Sequence, residues 1–254
     1  SDTAQQRQGL IVALSAGRPD PDVFLLDVAW IALFAAADWL RPLPAAAADT
    51  TAFFSGILEA VDRHGGDLVA LPVYLDVGLL YWREDLLRAH GLGGPPRTWD
   101  RLEEMAATVQ AAERPENPRF RGFVWQGAQY EGLVVNFLEF AGTAGGLRRT
   151  AAGWQVDTPV NRRALQRMHA LVHTRRLSPA ATSTEMREEE VRAFFQRGDA
   201  LFERNWPYAW PLHQRPGSPV RGRVGVGRLP GPTPDTGAGT LGGWHVGVSR
   251  FSDA

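Results

Sequence analysis

The chain has neither cysteine nor lysine in its 254 residues. Without cysteine there are no disulfides and no thiolate zinc sites, although this leaves the redox compartment undecided. Without lysine there is no Schiff-base chemistry and no P-loop for phosphate. All 27 basic residues are arginine, which beside so much Ala, Gly and Pro reads as GC-rich coding bias. An excess of either charge is also missing: the net charge is −1, so no basic field points to nucleic acid. Long apolar runs are absent too. The stretch Val23 to Leu40 is interrupted by Asp27 and Asp38 and bounded by Pro21 and Pro42, so it reads as a buried strand and then a helix rather than a membrane span. The polar start, Ser1 to Gln8, lacks the apolar region of a signal peptide and reads as entry into an amphipathic helix, with Ser1, Asp2 or Thr3 as its cap. No Gly-x-Ser-x-Gly occurs, and no Gly-x-Gly-x-x-Gly follows a strand in a usable context.

The six histidines are scattered. His169 and His173 share an i,i+4 spacing, but no Glu stands between them as a metalloprotease needs, and no third ligand is evident. Neither a metal nor a cofactor is expected.

The length suits one large domain or two modest ones and is enough to bury a real core. Periodicity and turn residues predict helices over 3–16, from Val28 to Leu40, and over 51–63, 85–89, 98–112, 130–140, 159–175, 185–197 and 207–213. Strands are predicted over 23–26, 68–73, 77–82, 120–125, 200–204, 224–226 and 244–248. The first of these ends at Asp27 as a parallel strand would. Ala45–Ala48 reads as a small-residue loop. Helices alternating with short apolar strands indicate α/β layers, in which ligands sit beyond the carboxyl ends of strands. Asp27, Asp76, Trp125 and Asn205–Trp206 all fall at or just past such ends.

What the chain has in quantity is tryptophan, nine residues, several of them beside Gly, Pro, Asn and Gln rather than inside periodic apolar segments. A large aromatic often just fills a gap between elements. As a set, however, aromatic faces next to fixed polar groups suit a sugar, whose ring faces are apolar and whose rim is hydroxyl. Asp27 and Asp76 add carboxylates, which accept strong charge-assisted hydrogen bonds from hydroxyls. Asp27 serves equally as a helix cap; at Asp76 a ligand role is favoured over a turn contact. Two carboxylates are also the equipment of a glycosidase, and spacing along the chain does not measure their separation. Asp38, expected in mid-helix and outside every motif, is assigned no part in a site.

The segment Ala70-Leu71-Pro72-Val73-Tyr74-Leu75-Asp76-Val77-Gly78-Leu79-Leu80-Tyr81-Trp82-Arg83-Glu84-Asp85-Leu86-Leu87 resembles the lobe-crossing region of the sugar-specific solute-binding proteins of ABC transporters. Pro95-Pro96-Arg97-Thr98-Trp99 is similar to a helix entry of the same family. Three further blocks, Phe123–Gly132, Asn205-Trp206-Pro207-Tyr208-Ala209-Trp210 and Thr240-Leu241-Gly242-Gly243-Trp244-His245, resemble the trehalose/maltose-binding proteins of thermophile-type importers. The resemblance spans nearly the whole chain in five ordered blocks.

It implies an α/β, two-lobed, type II periplasmic-binding-protein-like fold. One lobe would hold 1–77 and 236–254 and the other 78–235, with hinge crossings near 76–78 and 231–239. Carried over residue by residue, it makes Asp27 a carboxylate for sugar hydroxyls and Tyr74 and Asp76 ligands on the crossing strand. Trp206 becomes the stacking aromatic of the opposite lobe, and Gly243 and Trp244 a backbone-plus-indole contact. Tyr208, two residues beyond Trp206 in an extended turn, would face the same way. Tyr130 and Glu131 join the set. Trp206 and Trp244 are expected on opposite walls of one cleft.

The family's N-terminal strand and helix and its C-terminal helices are not recognisable here, so an internal fragment that binds sugar poorly by itself is expected. The function implied is a monomeric, non-enzymatic receptor handing an α-linked disaccharide to membrane permease subunits. It would work in the periplasm or outside the cell, held at the membrane by the transporter or by a lipid anchor outside this segment. The alternatives are a glycoside hydrolase using Asp27 and Asp76, or a chemoreceptor-linked or scaffolding relative that has lost transport.

Overall fold

The computed structural model describes residues 3–44 and 49–253. The loop expected at Ala45–Ala48 and the cap positions Ser1 and Asp2 lie outside the described residues. The chain divides into two compact units, Ser1–Asp76 with Leu241–Ala254, and Val77–Thr240.

In the first unit, α1 (Thr3–Ser15) buries Leu10 and Leu14, one turn apart on one face. It stops before Gly17, which adopts the left-handed φ of 65° that ends helices cheaply only when the residue is glycine. Next comes β1 (Val23–Asp27). Its partner is β11 (Leu241–Val248), from the other end of the sequence, and the pairing is antiparallel. The parallel direction expected for this strand is therefore wrong: an apolar run ending in Asp carries no information about which way its partner runs. β4 (Leu71–Val77) lies on the other side of β11, giving the order β1-β11-β4.

Phe24 and Leu26 alternate onto the buried face of this sheet, where they meet Ile31 and Phe34 of α2 (Ile31–Ala36) together with Trp30, Leu40, Val69 and Ala70. The helix expected to reach Leu40 is thus only six residues long. Asp38 lies beyond it in the left-handed region, φ 57°, with its carboxylate 3.2 Å from Arg250, and Leu40 bridges to Ser249. The helix expected over 51–63 is likewise broken. A 3-10 turn (Thr50–Ala52), a single turn α3 (Ser55–Ile57) and a π turn (Leu58–Asp62) replace it. Two threonines, Ser55 and Gly56 make this a poor helical sequence, and the Asp49 carboxylate accepts from Thr51 N at 3.0 Å instead. The tight hairpin of β2 (Arg63–His64) and β3 (Asp67–Leu68) follows, closed by Gly65 and Gly66 at positive φ.

The second unit is built on a four-stranded sheet ordered β10-β5-β9-β6. Its strands are β5 (Leu79–Arg83), β6 (Arg121–Val124), β9 (Ala200–Asn205) and β10 (Val224–Arg228). β6 runs parallel to β9, and β5 antiparallel to both its neighbours. Leu80 and Phe123 enter one core and the adjacent Tyr81 and Val124 another, as alternation along a strand covered on both faces requires.

The helices are α4 (Glu84–Ala89), α5 (Trp99–Glu113), α6 (Glu131–Ala141), α7 (Pro159–His169), α8 (Glu188–Gln196) and α9 (Ala209–Gln214). Thr98, where the helix over 98–112 was expected to begin, caps α5, its Oγ1 accepting from Arg101 N at 3.2 Å. α7 passes into a π turn (Ala170–Thr174) where a longer α-helix was expected. α8 starts at Glu188 rather than Glu185, with the Glu190 carboxylate accepting from Arg187 N. The exposed hairpin of β7 (Arg148–Thr150) and β8 (Gly153–Gln155) was not anticipated, since neither strand buries a face to leave an alternating pattern. Among the described residues no helix is long and apolar enough to cross a membrane.

Candidate functional site

Five of the predicted site residues come together at one end of the first unit's sheet. Asp27 closes β1 opposite Trp244 of β11. The next residue, Val28, donates its amide to Gly243 O at 3.1 Å. Gly243 has φ 124°, and a Cβ there would lie 2.3 Å from Tyr74 O and 2.9 Å from Leu75 Cα, so only glycine lets β11 approach β4 this closely. Tyr74 and Asp76 thereby stand beside Gly243 on the third strand.

The charges follow from this grouping. Burial, then the nearby charges of Asp76 and Asp27, push the Tyr74 phenol above its ordinary pKa. Half of the Tyr74 side chain remains exposed. Burial raises the Asp27 carboxyl, against the lowering influence of the Ala29 amide and of His245. Asp27 Oδ1 accepts that amide at 2.9 Å and Asp27 O accepts Trp30 N at 2.9 Å, so the residue closes the turn that leads into α2. The helix cap expected of Asp27 is not made: the first helical turn of α2 is entered from Trp30 without a side-chain cap, and Asp27 closes the preceding turn instead. The Trp244 indole packs edge-on against buried Trp30, with centroids 5.5 Å apart. Behind it, His245 Nδ1 pairs with Asp62 Oδ1 at 2.6 Å, both side chains fully buried.

In the second unit Trp206 follows directly after β9 and is half-buried. Its amide donates to Asn205 Oδ1 at 2.9 Å, its carbonyl accepts from Tyr81 Oη at 2.8 Å, and the Arg204 guanidinium lies over its ring, 4.0 Å from the centroid. Tyr208 is not in an extended turn. Its backbone is right-handed helical, φ −59° and ψ −23°, so strand-like alternation does not set its direction. The Tyr208 hydroxyl instead donates to Glu189 Oε1 at 2.8 Å, and the Tyr130 hydroxyl to Glu188 Oε1 at 2.7 Å. Burial and then these carboxylates hold both phenols well above the ordinary tyrosine range. Glu131 is the exposed first residue of α6, adjacent to Tyr130.

Beneath this loop sits a polar network that the sequence reading missed. Glu203, fully buried, accepts from Asn205 Nδ2 at 2.7 Å and pairs with His213 Nε2 at 2.7 Å; burial raises its carboxyl despite the His213 bond. Arg204 and Glu139 form a second buried pair. A signal was available: Glu203, Arg204 and Asn205 interrupt an otherwise apolar strand, and buried polar groups demand partners. Trp125, read as a strand-end aromatic, belongs to the core instead: it is 3% exposed, donates to Ser178 Oγ and packs on Phe140.

Grooves of about 530 and 520 Å³ run along α8, lined by residues such as Arg192, Ala193 and Arg197, and neither holds Trp206 or Tyr208. The His169 and His173 rings lie 4.5 Å apart on the exposed face of α7 and its π turn. Among the described residues no group of three or more His, Cys, Asp or Glu is placed to hold a metal ion.

The chain is thus a two-unit α/β protein whose first unit gathers two carboxylates, a phenol and an indole at one end of its sheet. Residues 1–254 match the family described as bacterial extracellular solute-binding protein, and the chain belongs to that family. It is 40% identical over 243 residues to a "Probable ABC transporter-binding protein" of Deinococcus radiodurans, covering 94% of this chain and 56% of the relative. It is 29% identical over 156 residues to a mannitol-binding protein of Pseudomonas aeruginosa, covering 59% of this chain and 34% of that protein. Among solved structures, maltose-bound MalE3 of T. maritima superposes with a TM-score of 0.86 at 42% identity, covering 99% of this chain and 63% of that one. The fold is accordingly the two-lobed α/β fold of solute-binding proteins. The chain spans less than two thirds of the length of these relatives.

Proposed function

We propose that this chain belongs to the receptor of a carbohydrate ABC importer and binds an α-linked disaccharide of the trehalose or maltose type. The carrying observation is the convergence of Asp27, Tyr74, Asp76, Gly243 and Trp244 at one end of a single sheet. Two carboxylates there accept hydroxyl hydrogen bonds, while a half-exposed phenol and an indole offer ring faces to the apolar side of a pyranose. Within the second unit, Trp206 after β9, Tyr208 at the start of α9 and Glu131 at the start of α6 are the residues proposed to take part in binding. The chain passes between the two units at Asp76–Val77 and again at Thr240–Leu241. Maltose in the MalE3 relative supports a disaccharide, and the mannitol-binding relative marks the wider class of polyhydroxyl ligands. The protein acts without catalysis, outside the cytoplasm, as a monomer that hands sugar to permease subunits.

Titration calorimetry of the full-length gene product against trehalose, maltose, sucrose and mannitol tests this. Saturable binding of trehalose or maltose is expected. Preference for mannitol refutes the disaccharide assignment, and release of glucose from a bound disaccharide replaces the receptor with the hydrolase.

A further inference from the structure

Arg204 and Glu139 are almost completely buried, with side chains 2% and 1% exposed. Two hydrogen bonds join them, Nε to Oε2 at 2.7 Å and Nη2 to Oε1 at 2.5 Å. A guanidinium held at two points by a carboxylate has its plane fixed as well as its position. Here the face of that plane is laid on the Trp206 ring, with Cζ 4.0 Å from the centroid.

Glu139 is itself held in place. Its Oε1 accepts from Thr240 N at 3.0 Å, in the last residue before the chain leaves the second unit. Gly78 closes the other side. A Cβ there would lie 2.0 Å from Glu139 Oε1 and 2.6 Å from Arg204 Nη2, so neither partner has room beside a side chain. The remaining Arg204 Nη1 reaches Gln126 Oε1 at 3.4 Å, and Gln126 Nε2 donates back to Arg204 O at 3.1 Å. Asn136 then ties Gln126 to α6. Each polar partner of Arg204 is therefore itself anchored.

A buried ion pair is weak evidence for stability, because desolvation offsets most of the attraction and apolar residues fill such space as well. Its use here has to lie in what it orients. We infer that Arg204 is a positioning residue for ligand binding: it covers one face of the Trp206 indole and holds the opposite face ready for a sugar ring. This rests on the proposed role of Trp206. A ring clamped before the ligand arrives loses less rotamer freedom on binding, so the stacking contact is realised more fully.

A double-mutant cycle with maltose as the probe, on the full-length gene product, tests the inference. The proteins are wild type, Arg204→Lys, Trp206→Ala and the double variant. Lysine keeps the charge and removes the planar fork. Arg204→Lys is expected to weaken maltose affinity about tenfold in the wild-type background and less than about twofold once Trp206 is gone. Unchanged affinity in Arg204→Lys overturns the inference, and so does an equal loss in both backgrounds, which marks a general structural effect. If thermal melting shows that Arg204→Lys does not fold, Glu139→Gln takes its place in the same cycle with the same two readings. Failure of the underlying sugar-site reading looks different: wild type that does not bind maltose, or Trp206→Ala that binds it as well as wild type, removes the site and the inference together.

Discussion

Asp27 and Trp244 occupy one rung of the antiparallel pairing between β1 and β11, so residues from the two ends of the chain stand side by side. The neighbouring rung is tight. Val28 N meets Gly243 O at 3.1 Å on one side, and the Tyr74 carbonyl crowds Gly243 on the other. Three strands that are far apart in the sequence thus bring two carboxylates, a phenol and an indole together. The geometry rests on a residue without a side chain.

Gly243→Ala is therefore expected to destabilise the protein by about 2–4 kcal/mol, combining backbone strain with overpacking. The new methyl would meet Tyr74 O at 2.3 Å, and neither strand can retreat without losing its pairing. Urea unfolding monitored at equilibrium checks this, and an unaltered midpoint would mean that the strands part without cost.

Asp27 is expected to make stability and binding depend on acid in opposite directions. Burial raises its folded pKa above the ordinary 3.8. The folded state then holds the proton more tightly than the unfolded chain, so this carboxyl destabilises the fold progressively as pH rises through the interval between the two values. Under the proposed function, sugar hydroxyls donate more strongly to the ionised form, so affinity is expected to fall as pH drops through the folded value. Asp27→Asn is expected to flatten both dependences. Calorimetry and thermal melts on the two proteins, from neutral into acidic pH, would expose an error if the variant kept the wild-type slopes.

Trp206 and Trp244 should separate by their effect on stability. Trp206→Ala is expected to cost roughly 1–4 kcal/mol in sugar binding, the range for an anchoring aromatic, with a smaller change in melting temperature. Trp244 packs on buried Trp30 in the core of the first unit, so Trp244→Ala is expected to lower stability as well as affinity. Paired melts and titrations check the contrast; normal affinity in Trp206→Ala would leave that ring a packing role alone.

Asp76→Ala is expected to weaken binding by about 1–3 kcal/mol, the size of a charge-assisted hydrogen bond. Asp38→Asn is the suitable control, because Asp38 has φ 57° and asparagine tolerates that conformation where alanine is strained. It should leave affinity unchanged, and equal losses in the two variants would dissolve the assignment of Asp76.

Much of this was readable in the linear chain. The Thr98 cap, the helical periodicity of α5 and the apolar run of β9 are local: each is set by a residue and its neighbours within a few positions. The ordered blocks around Asp76, Trp206 and Trp244 carried the resemblance to the family that residues 1–254 match. Other features had no local signature. The direction of β1 depends on a partner at the far end of the sequence. The helix expected over 51–63 ends in Asp62, whose buried partner His245 lies far along the chain. Trp125 and Trp206 both follow strands, yet one is buried against Phe140 while the other is half-buried over Arg204. The Glu139–Arg204 pair was hidden for the same reason. Composition and spacing state which side chains a chain owns, but desolvation and hydrogen bonding act between groups that only the folded chain brings within a few ångströms.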